Sequence, residues 1–313
     1  MRRRQFCNLG IGSTLLTLPR MGSATVSGSD RKFVFVRVPG GWDTTRVFAP
    51  MFHVSGIEME EEAYLSQSGG ISYVSNEFRP IVDQFFADFA SKTAILNGLI
   101  VPSVNHAICD RLLYSDSSTG SIPDWATQIA SANTDRYSLP HVLISGSAMA
   151  GNRANLIVNV GTDGQMSDLL LGRLMAQGDL PIQTPSRNIQ EIISQRLLTG
   201  LPDSEFGSSY SQSIQRMTFM RDISEQGLVN WETDGSMTSQ IGLTRDLLLN
   251  DLSRCVTMEF TRTTFDSHAD NEPKQMANYQ DLFEFLYELI FTLHTTTGVE
   301  GTTLLDETCV VVL

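Results

Sequence analysis

The residues with the clearest potential for chemistry are Asp266 and His268, which stand two positions apart in the segment Phe265-Asp266-Ser267-His268. This segment follows Arg254–Phe260, a run that predicts a buried strand. In α/β proteins the carboxyl ends of such strands collect catalytic groups and metal ligands, and imidazole and carboxylate groups serve both purposes. The segment therefore marks a candidate chemical site at the end of a strand.

A second corner of this kind lies near the start of the chain. The apolar run Phe33–Val38 breaks at Pro39-Gly40-Gly41 and is followed by Trp42-Asp43. Together the two corners predict a metal-dependent hydrolase site, or the remains of one. The sequence carries neither a dinucleotide-binding glycine fingerprint nor a P-loop, which argues against nicotinamide and ATP chemistry.

Strand-like and helical segments alternate on either side of these corners. Strands are expected at Lys32–Val38, Thr93–Leu99, His141–Ile144, Leu156–Val160, Arg254–Phe260 and Thr308–Leu313. Helices are expected over Ser75–Phe89, His106–Ser115, Pro123–Ala132, Ser167–Gln177, Asn188–Leu198 and Tyr279–Leu293. This alternation predicts an α/β fold, a three-layer sandwich in which helices cover both faces of a mostly parallel sheet.

One domain is expected over residues 31–313, because no internal repeat and no linker-like tract interrupts them. Its middle differs in character. From Leu201 to Gln240 the chain is rich in Ser, Gly, Met and Gln. A helical insertion or cap is therefore expected over about residues 165–250.

The first 30 residues are predicted to be a twin-arginine export signal. Arg2-Arg3-Arg4-Gln5-Phe6 precedes a mildly apolar stretch, Leu9–Leu18, and then small residues around Gly22. The alternatives are an uncleaved anchor or a basic tail. The signal implies the twin-arginine export machinery as a partner and a periplasmic or otherwise exported location.

Charge and cysteine content exclude several further classes of protein. Removing residues 1–24 takes away four arginines and no acid, so the formal net charge moves from −13 to −17. Such a surface repels nucleic acid and anionic lipid, and no apolar run reaches the ~20 residues that stable membrane insertion needs. Cys109, Cys255 and Cys309 remain and include no C-x-x-C pair, which argues against zinc-ribbon and thioredoxin folds.

The sequence stops on a strand pattern, Thr308–Leu313. A buried parallel strand is an unusual natural terminus, since site loops emerge from its carboxyl end. The sequence is therefore expected to be a fragment; the alternative is a fold that ends on a strand.

Two segments together resemble a known family. Val38-Pro39-Gly40-Gly41-Trp42-Asp43 and Phe265-Asp266-Ser267-His268-Ala269-Asp270-Asn271 are similar to motifs of the exported bacterial family called domain of unknown function 1501. Asn105-His106 and Pro123-Asp124-Trp125 add to the resemblance, which covers roughly residues 31–313. That family is placed in the alkaline phosphatase and sulfatase-like superfamily. Its later Ser-Glu-x-Gly-Arg-Thr and Asp-His segments are absent here.

The resemblance implies an alkaline-phosphatase-like fold that binds one or two divalent metal ions. Asp43 then occupies the first metal-carboxylate position, and Asp266 and His268 supply further ligands. Their alternatives are a turn or helix-capping aspartate for Asp43 and a hydrogen-bonded loop pair for Asp266 and His268. His106 lies where the superfamily keeps its nucleophile and is the candidate catalytic residue, with packing or capping as its alternative. Ser103 or a nearby hydroxyl is a candidate nucleophile, although no nucleophile motif is present.

Two functions from different classes follow. The first is an exported metal-dependent hydrolase of phosphate or sulfate esters, that is, an enzyme with an anionic substrate. The second is a non-catalytic or degenerate relative that binds a polysaccharide or a partner protein. His53, His141 and His294 have no partner at ligand spacing and are predicted to be structural.

Overall fold

The computed structural model describes residues 30–161, 165–170, 205–298 and 301–313, together with the single residues 192, 196, 199 and 200. The predicted export signal, apart from residue 30, lies outside the described residues, as do most of the predicted helix Asn188–Leu198 and the end of Ser167–Gln177. The strands are β1 (Lys32–Arg37), β2 (Tyr64–Ser68), β3 (Ile71–Ser75), β4 (His141–Leu143), β5 (Ile157–Asn159), β6 (Cys255–Glu259) and β7 (Thr308–Val312). The helices are α1 (Pro80–Phe89), α2 (His106–Ser115), α3 (Trp125–Ser131), α4 (Gln165–Leu170), α5 (Glu205–Glu225), α6 (Met237–Leu249), α7 (Asn271–Thr295) and α8 (Leu304–Glu307).

The centre of the fold is a five-stranded parallel sheet in the order β5-β4-β6-β1-β7. Val34 in β1 lies opposite Val256 in β6 on one side and Val310 in β7 on the other. Continuous apolar, β-branched runs form these inner strands because both faces of the sheet are covered. The expected α/β fold with a mostly parallel sheet is confirmed.

Helices lie on both faces of this sheet. On one face Val34, Val256 and Met258 join a large core that includes side chains of α1, α6 and α7. On the other face Phe35 and Cys255 pack against α3. Helix α6 falls inside the predicted insertion, yet its buried leucines belong to the main core.

Helix α7 is the main support of the large core. Its apolar positions recur at helical spacing, and Tyr279, Leu282 and Phe283 are fully or almost fully buried. The Phe283 ring contacts aromatic rings of α1, with centroids 5.2 Å from Phe85 and 5.8 Å from Phe86. None of the described helices is long and apolar enough to cross a membrane.

Two predicted elements differ from the structure. The expected strand Thr93–Leu99 is wrong: the segment has no regular structure, and Leu96 and Leu99 are exposed. The expected helix Ser75–Phe89 begins only at Pro80, because Ile71–Ser75 pairs with Tyr64–Ser68 as an antiparallel hairpin. Proline at the first helical turn fixes this start.

Candidate metal centre

The two corners predicted from the sequence lie next to each other at the carboxyl ends of β1 and β6, which are neighbours in the sheet. The Phe265 amide donates to the Pro39 carbonyl at 3.0 Å. Gly40 has a positive φ of 102°, and a Cβ atom there would lie 2.3 Å from the Asp266 backbone nitrogen. Only glycine allows the two loops to approach this closely.

Three predicted site residues meet at this edge: His106, Asp266 and His268. One ligand atom from each lies within 4.8 Å of the others. The His268 Nε2 atom is 2.9 Å from Asp266 Oδ1, and the His106 Nε2 atom is 3.7 Å from Asp266 Oδ2. We call these three residues the HDH cluster.

The start of α2 positions His106 in the cluster. Asn105 is the N-cap, and its side-chain oxygen accepts a hydrogen bond from the Ile108 amide at 3.1 Å. The Ser103 hydroxyl in turn accepts from the Asn105 amide at 3.1 Å. His106 is therefore the first residue of a capped helix, and its imidazole faces the loop that follows β6.

The donor set of the HDH cluster fits a divalent ion. Two imidazole nitrogens and one carboxylate oxygen are typical of zinc sites that keep a coordination position open for water or substrate. Around a tetrahedral ion with bonds of about 2.0–2.1 Å, neighbouring ligand atoms lie about 3.3 Å apart. Here the two imidazoles lie 2.9 and 3.7 Å from different oxygens of Asp266, and one ligand atom of each residue lies within 4.8 Å of the others. All three residues are exposed, so an ion could reach them from solvent.

Asp43, the fourth predicted site residue, does not belong to this cluster. Its Oδ1 accepts hydrogen bonds from the Thr45 amide at 3.2 Å and the Thr45 hydroxyl at 2.5 Å, and its Oδ2 pairs with Arg46 at 3.1 Å. Burial alone would raise the pKa of the Asp43 carboxyl, but the hydrogen bonds from Thr45 and the charge of Arg46 outweigh it and hold the pKa low. The geometry is that of the capping aspartate foreseen as its alternative, and a direct metal bond to Asp43 stays a prediction.

A buried ionic network lies behind Asp43. Arg46 also pairs with Glu60 at 3.2 Å, and Glu60 pairs with Arg79. The side chains of Glu60 and Arg79 are fully buried. Arg46 therefore links Asp43 to the buried ion pair of Glu60 and Arg79 as well as to its own loop.

Gln275 in α7, a buried residue that joins the two loops, was not predicted from the sequence. Its side chain is fully buried, and its Nε2 group donates to the Phe265 carbonyl at 2.9 Å, the Gly41 carbonyl at 3.1 Å and the Ser267 hydroxyl at 3.1 Å. Its Oε1 accepts from the Asp43 amide at 3.2 Å. A signal was present, because polar residues recur at helical spacing along this part of α7.

Other polar side chains of α7 act on the same loops. The Asn278 amide donates to the Thr264 carbonyl at 2.7 Å, and the Tyr279 hydroxyl donates to the Asp43 carbonyl at 3.0 Å. Asn271 donates to Asp43 at 3.4 Å and accepts from the Ser267 hydroxyl at 2.5 Å. The beginning of α7 therefore supports both site loops.

A half-buried carboxylate, Glu259, ends β6 beside this edge. Burial raises the pKa of its carboxyl; nearby Arg37 opposes this effect and Asp110 adds to it. The Arg37 guanidinium is buried, pairs with Asp124 at 3.2 Å and stacks on the Tyr114 ring at 4.1 Å. The charges at the end of the sheet are therefore a mixture of fixed pairs and one carboxylate with a raised pKa.

The remaining histidines do not join the HDH cluster. His141 is buried between two threonine hydroxyls, as expected for a structural histidine. Comparison with models of known protein families, with curated proteins and with solved structures found no match to this chain.

Proposed function

We propose that the protein binds one divalent metal ion through the HDH cluster and hydrolyses phosphate or sulfate esters after export through the twin-arginine route. The observation that carries this proposal is the convergence of two imidazoles and one carboxylate at the carboxyl edge of a parallel sheet. The resemblance to the alkaline phosphatase and sulfatase-like superfamily supports the ester class. An ion held there would polarise a phosphoryl or sulfuryl oxygen.

The charge of the chain makes local positive charge necessary for this chemistry. The net charge of −13 repels an anionic ester. Among the described residues, Arg37 and Arg46 lie near the site but are paired with Asp124, Asp43 and Glu60. An ion on the HDH cluster therefore provides the attraction that these arginines do not.

The chain's own groups have separate roles in this proposal. Asp266 pairs with His268 at 2.9 Å and lies 3.7 Å from His106, so it orients the His268 imidazole directly. Ser267 lies between Asp266 and His268 in the sequence. Its hydroxyl donates a hydrogen bond to Asn271 and accepts one from Gln275, and these bonds keep the loop in one conformation. The half-buried Glu259, whose pKa is raised by burial, is the candidate proton-transfer group at this edge.

The test is metal content of the full-length chain after equilibration with Zn²⁺ or Mn²⁺, measured by elemental analysis, followed by hydrolysis assays with aryl phosphate and aryl sulfate esters. We expect one ion per chain in the wild type and loss of most of it in Asp266→Ala and His268→Ala. His294→Gln is the matched control, because this exposed histidine lies near the far end of α7. Equal metal content in all four proteins, or none in any folded protein, contradicts the proposal.

Polysaccharide binding is the second candidate function. Phe78, 60% exposed, lies in an open groove with Met276 and the polar side chains of Glu272, Gln280 and Asp281. An exposed aromatic ring beside hydrogen-bonding groups suits the faces and edges of sugars. This role predicts that Phe78→Ala abolishes retention on a polysaccharide affinity gel, whereas Asp266→Ala leaves it unchanged.

A further inference from the structure

Gln275 and Asn271 both bond to the two site loops, and of these two side chains only that of Gln275 is buried. The Gln275 side chain is bonded to Gly41 and Asp43 in the loop after β1, and to Phe265 and Ser267 in the loop after β6. Phe265 and Ser267 are the immediate neighbours of Asp266 in the chain. A change in the backbone conformation of Asp266 turns its carboxylate. The same change therefore alters the hydrogen bonds that Phe265 and Ser267 make to Gln275.

The buried position of Gln275 limits the hydrogen bonds that its side chain can make. Its amide is fully buried, so any bond that it loses is not replaced by water at the surface. The aromatic rings of Trp42, Phe265 and Tyr279 pack beside the loops, with centroids 5.9 Å apart for Trp42 and Phe265 and 5.0 Å apart for Phe265 and Tyr279. This packing holds the two loops against each other and against α7, and the hydrogen bonds of Gln275 add a buried polar link between the same loops.

We propose that Gln275 is a positioning residue that sets the metal affinity of the HDH cluster by locking the loop of Asp266 and His268 to the loop of Asp43. This inference rests on the proposed function, because it assumes that the cluster binds an ion. Gln275 does not touch the ion. It acts through the backbone on either side of Asp266, as groups that orient metal ligands do in other proteins, where their loss weakens metal binding about 10–100-fold.

The main variant is Gln275→Met, which keeps the length of the side chain but removes the amide donor and acceptor. The matched control is Gln280→Met on the same helix, because Gln280 is the same residue type and its side-chain amide donates to Glu284 of α7 and to neither site loop. Zn²⁺ affinity is measured by competition with a chromophoric chelator. The visible absorption of the Co²⁺-substituted protein reports the geometry of the ligands.

We expect Gln275→Met to bind Zn²⁺ about 10-fold or more weakly and to change the Co²⁺ spectrum, and Gln280→Met to bind within about 3-fold of wild type. Hydrogen exchange of the metal-free proteins gives a readout that needs no metal. The Asp43 amide, which donates to Gln275 in the wild type, should exchange faster in Gln275→Met and not in Gln280→Met.

Three outcomes overturn the inference, and they separate it from the proposed function. If wild type and Gln275→Met bind Zn²⁺ equally well, the inference fails while the metal site stands. If affinity falls but the Asp43 amide keeps its protection, Gln275 does not act through the loops. If the folded wild type binds no ion, both the proposed function and the inference fail.

Discussion

At the scale of single residues, Gly40 decides how closely the two site loops approach. Its φ of 102° is unfavourable for any residue with a side chain, and the atoms that a Cβ would meet belong to the backbone of Phe265 and Asp266. Gly41, the next residue, has no atom within 4 Å of the corresponding Cβ position. Two adjacent glycines thus have different structural roles.

Replacing Gly40 by alanine should therefore cost at least about 2 kcal/mol in the free energy of unfolding and displace Asp266. Gly41→Ala should change stability by no more than about 0.5 kcal/mol. Urea unfolding of both variants measures the difference. Equal stability of the two would show that the loops are not in close contact at Gly40.

His141 is the residue with the most strongly altered acid–base behaviour among the described histidines. Its ring nitrogens lie 3.0 Å from the Thr127 hydroxyl and 2.8 Å from the Thr257 hydroxyl. Burial lowers the pKa of His141 from 6.5 to about 4, while the charge of Asp124 opposes this effect and that of Arg37 adds to it. The buried ring is neutral at pH 7.

A pH dependence of stability follows from this shift. Between pH 6.5 and about 4 the unfolded chain binds a proton on His141 and the folded protein does not, so acid favours unfolding. The free energy of unfolding should fall by up to about 3 kcal/mol across that window because of this group. Urea unfolding of wild type and His141→Gln at pH 7 and pH 4.5 should show a smaller loss in the variant. Identical losses would contradict the assignment.

At the scale of elements, the first turn of α3 links a helix to the sheet. Asp124 is the N-cap and is almost fully buried. One of its oxygens accepts from the Thr127 amide at 2.8 Å, and the other accepts from Arg37 at 3.2 Å and from the Met149 amide at 2.9 Å. One carboxylate thus caps a helix and neutralises a buried guanidinium at the end of β1.

Asp124→Ala should destabilise the protein by about 3–5 kcal/mol, because it leaves the buried charge of Arg37 without its partner. Asp124→Asn keeps an oxygen for the cap and should lose less stability. Chemical denaturation distinguishes the two variants from wild type. A cost below about 1 kcal/mol for the alanine variant would mean that Arg37 is solvated and not buried.

The elements that the sequence predicted well are those defined by local pattern. Lys32–Val38 and Arg254–Phe260 are continuous apolar runs, and both contain central strands of the sheet. The expected strand Thr93–Leu99 has an apolar start, but Asn97 and Gly98 interrupt it, and Gly98 has a positive φ that breaks an extended run. Which segments take a place in the sheet is not visible in a local pattern.

The hairpin of β2 and β3 was not predicted, because its strands are rich in serine and glutamine and lack a clear apolar face. Its one local signal is the Gly69-Gly70 turn, where both glycines have a positive φ. Gln275 was missed for a related reason. Which loops a helix side chain meets depends on how the helix is rotated against the sheet, and α7 bonds to a segment more than 200 residues earlier in the chain.

At the scale of the whole molecule, the central strands should be the last part to open. Cys255 in β6 is fully buried, and burial raises the pKa of its thiol. Cys109 and Cys309 are only partly buried. Alkylation by iodoacetamide, followed peptide by peptide with mass spectrometry, should modify Cys255 last and accelerate only when denaturant unfolds the whole protein. Modification of Cys255 as fast as Cys109 in native buffer would contradict a closed sheet.

The sequence predicted the individual residues of the site but not how their side chains come together. Asp266 and His268 were expected as metal ligands and His106 as the catalytic residue, and the fold places the three side chains in one cluster. Asp43 was assigned as a ligand as well, although its carboxylate is bonded to Thr45 and Arg46. Sequence spacing shows which residues share a loop, but the direction of a short side chain depends on hydrogen bonds within that loop.

The most direct test of the central claim is an anomalous diffraction map of crystals soaked in Zn²⁺, collected on both sides of the zinc absorption edge. We expect one strong peak within about 2.0–2.2 Å of a nitrogen of His106, a nitrogen of His268 and an oxygen of Asp266. A map with no peak at these residues, or with zinc bound only elsewhere, would contradict it.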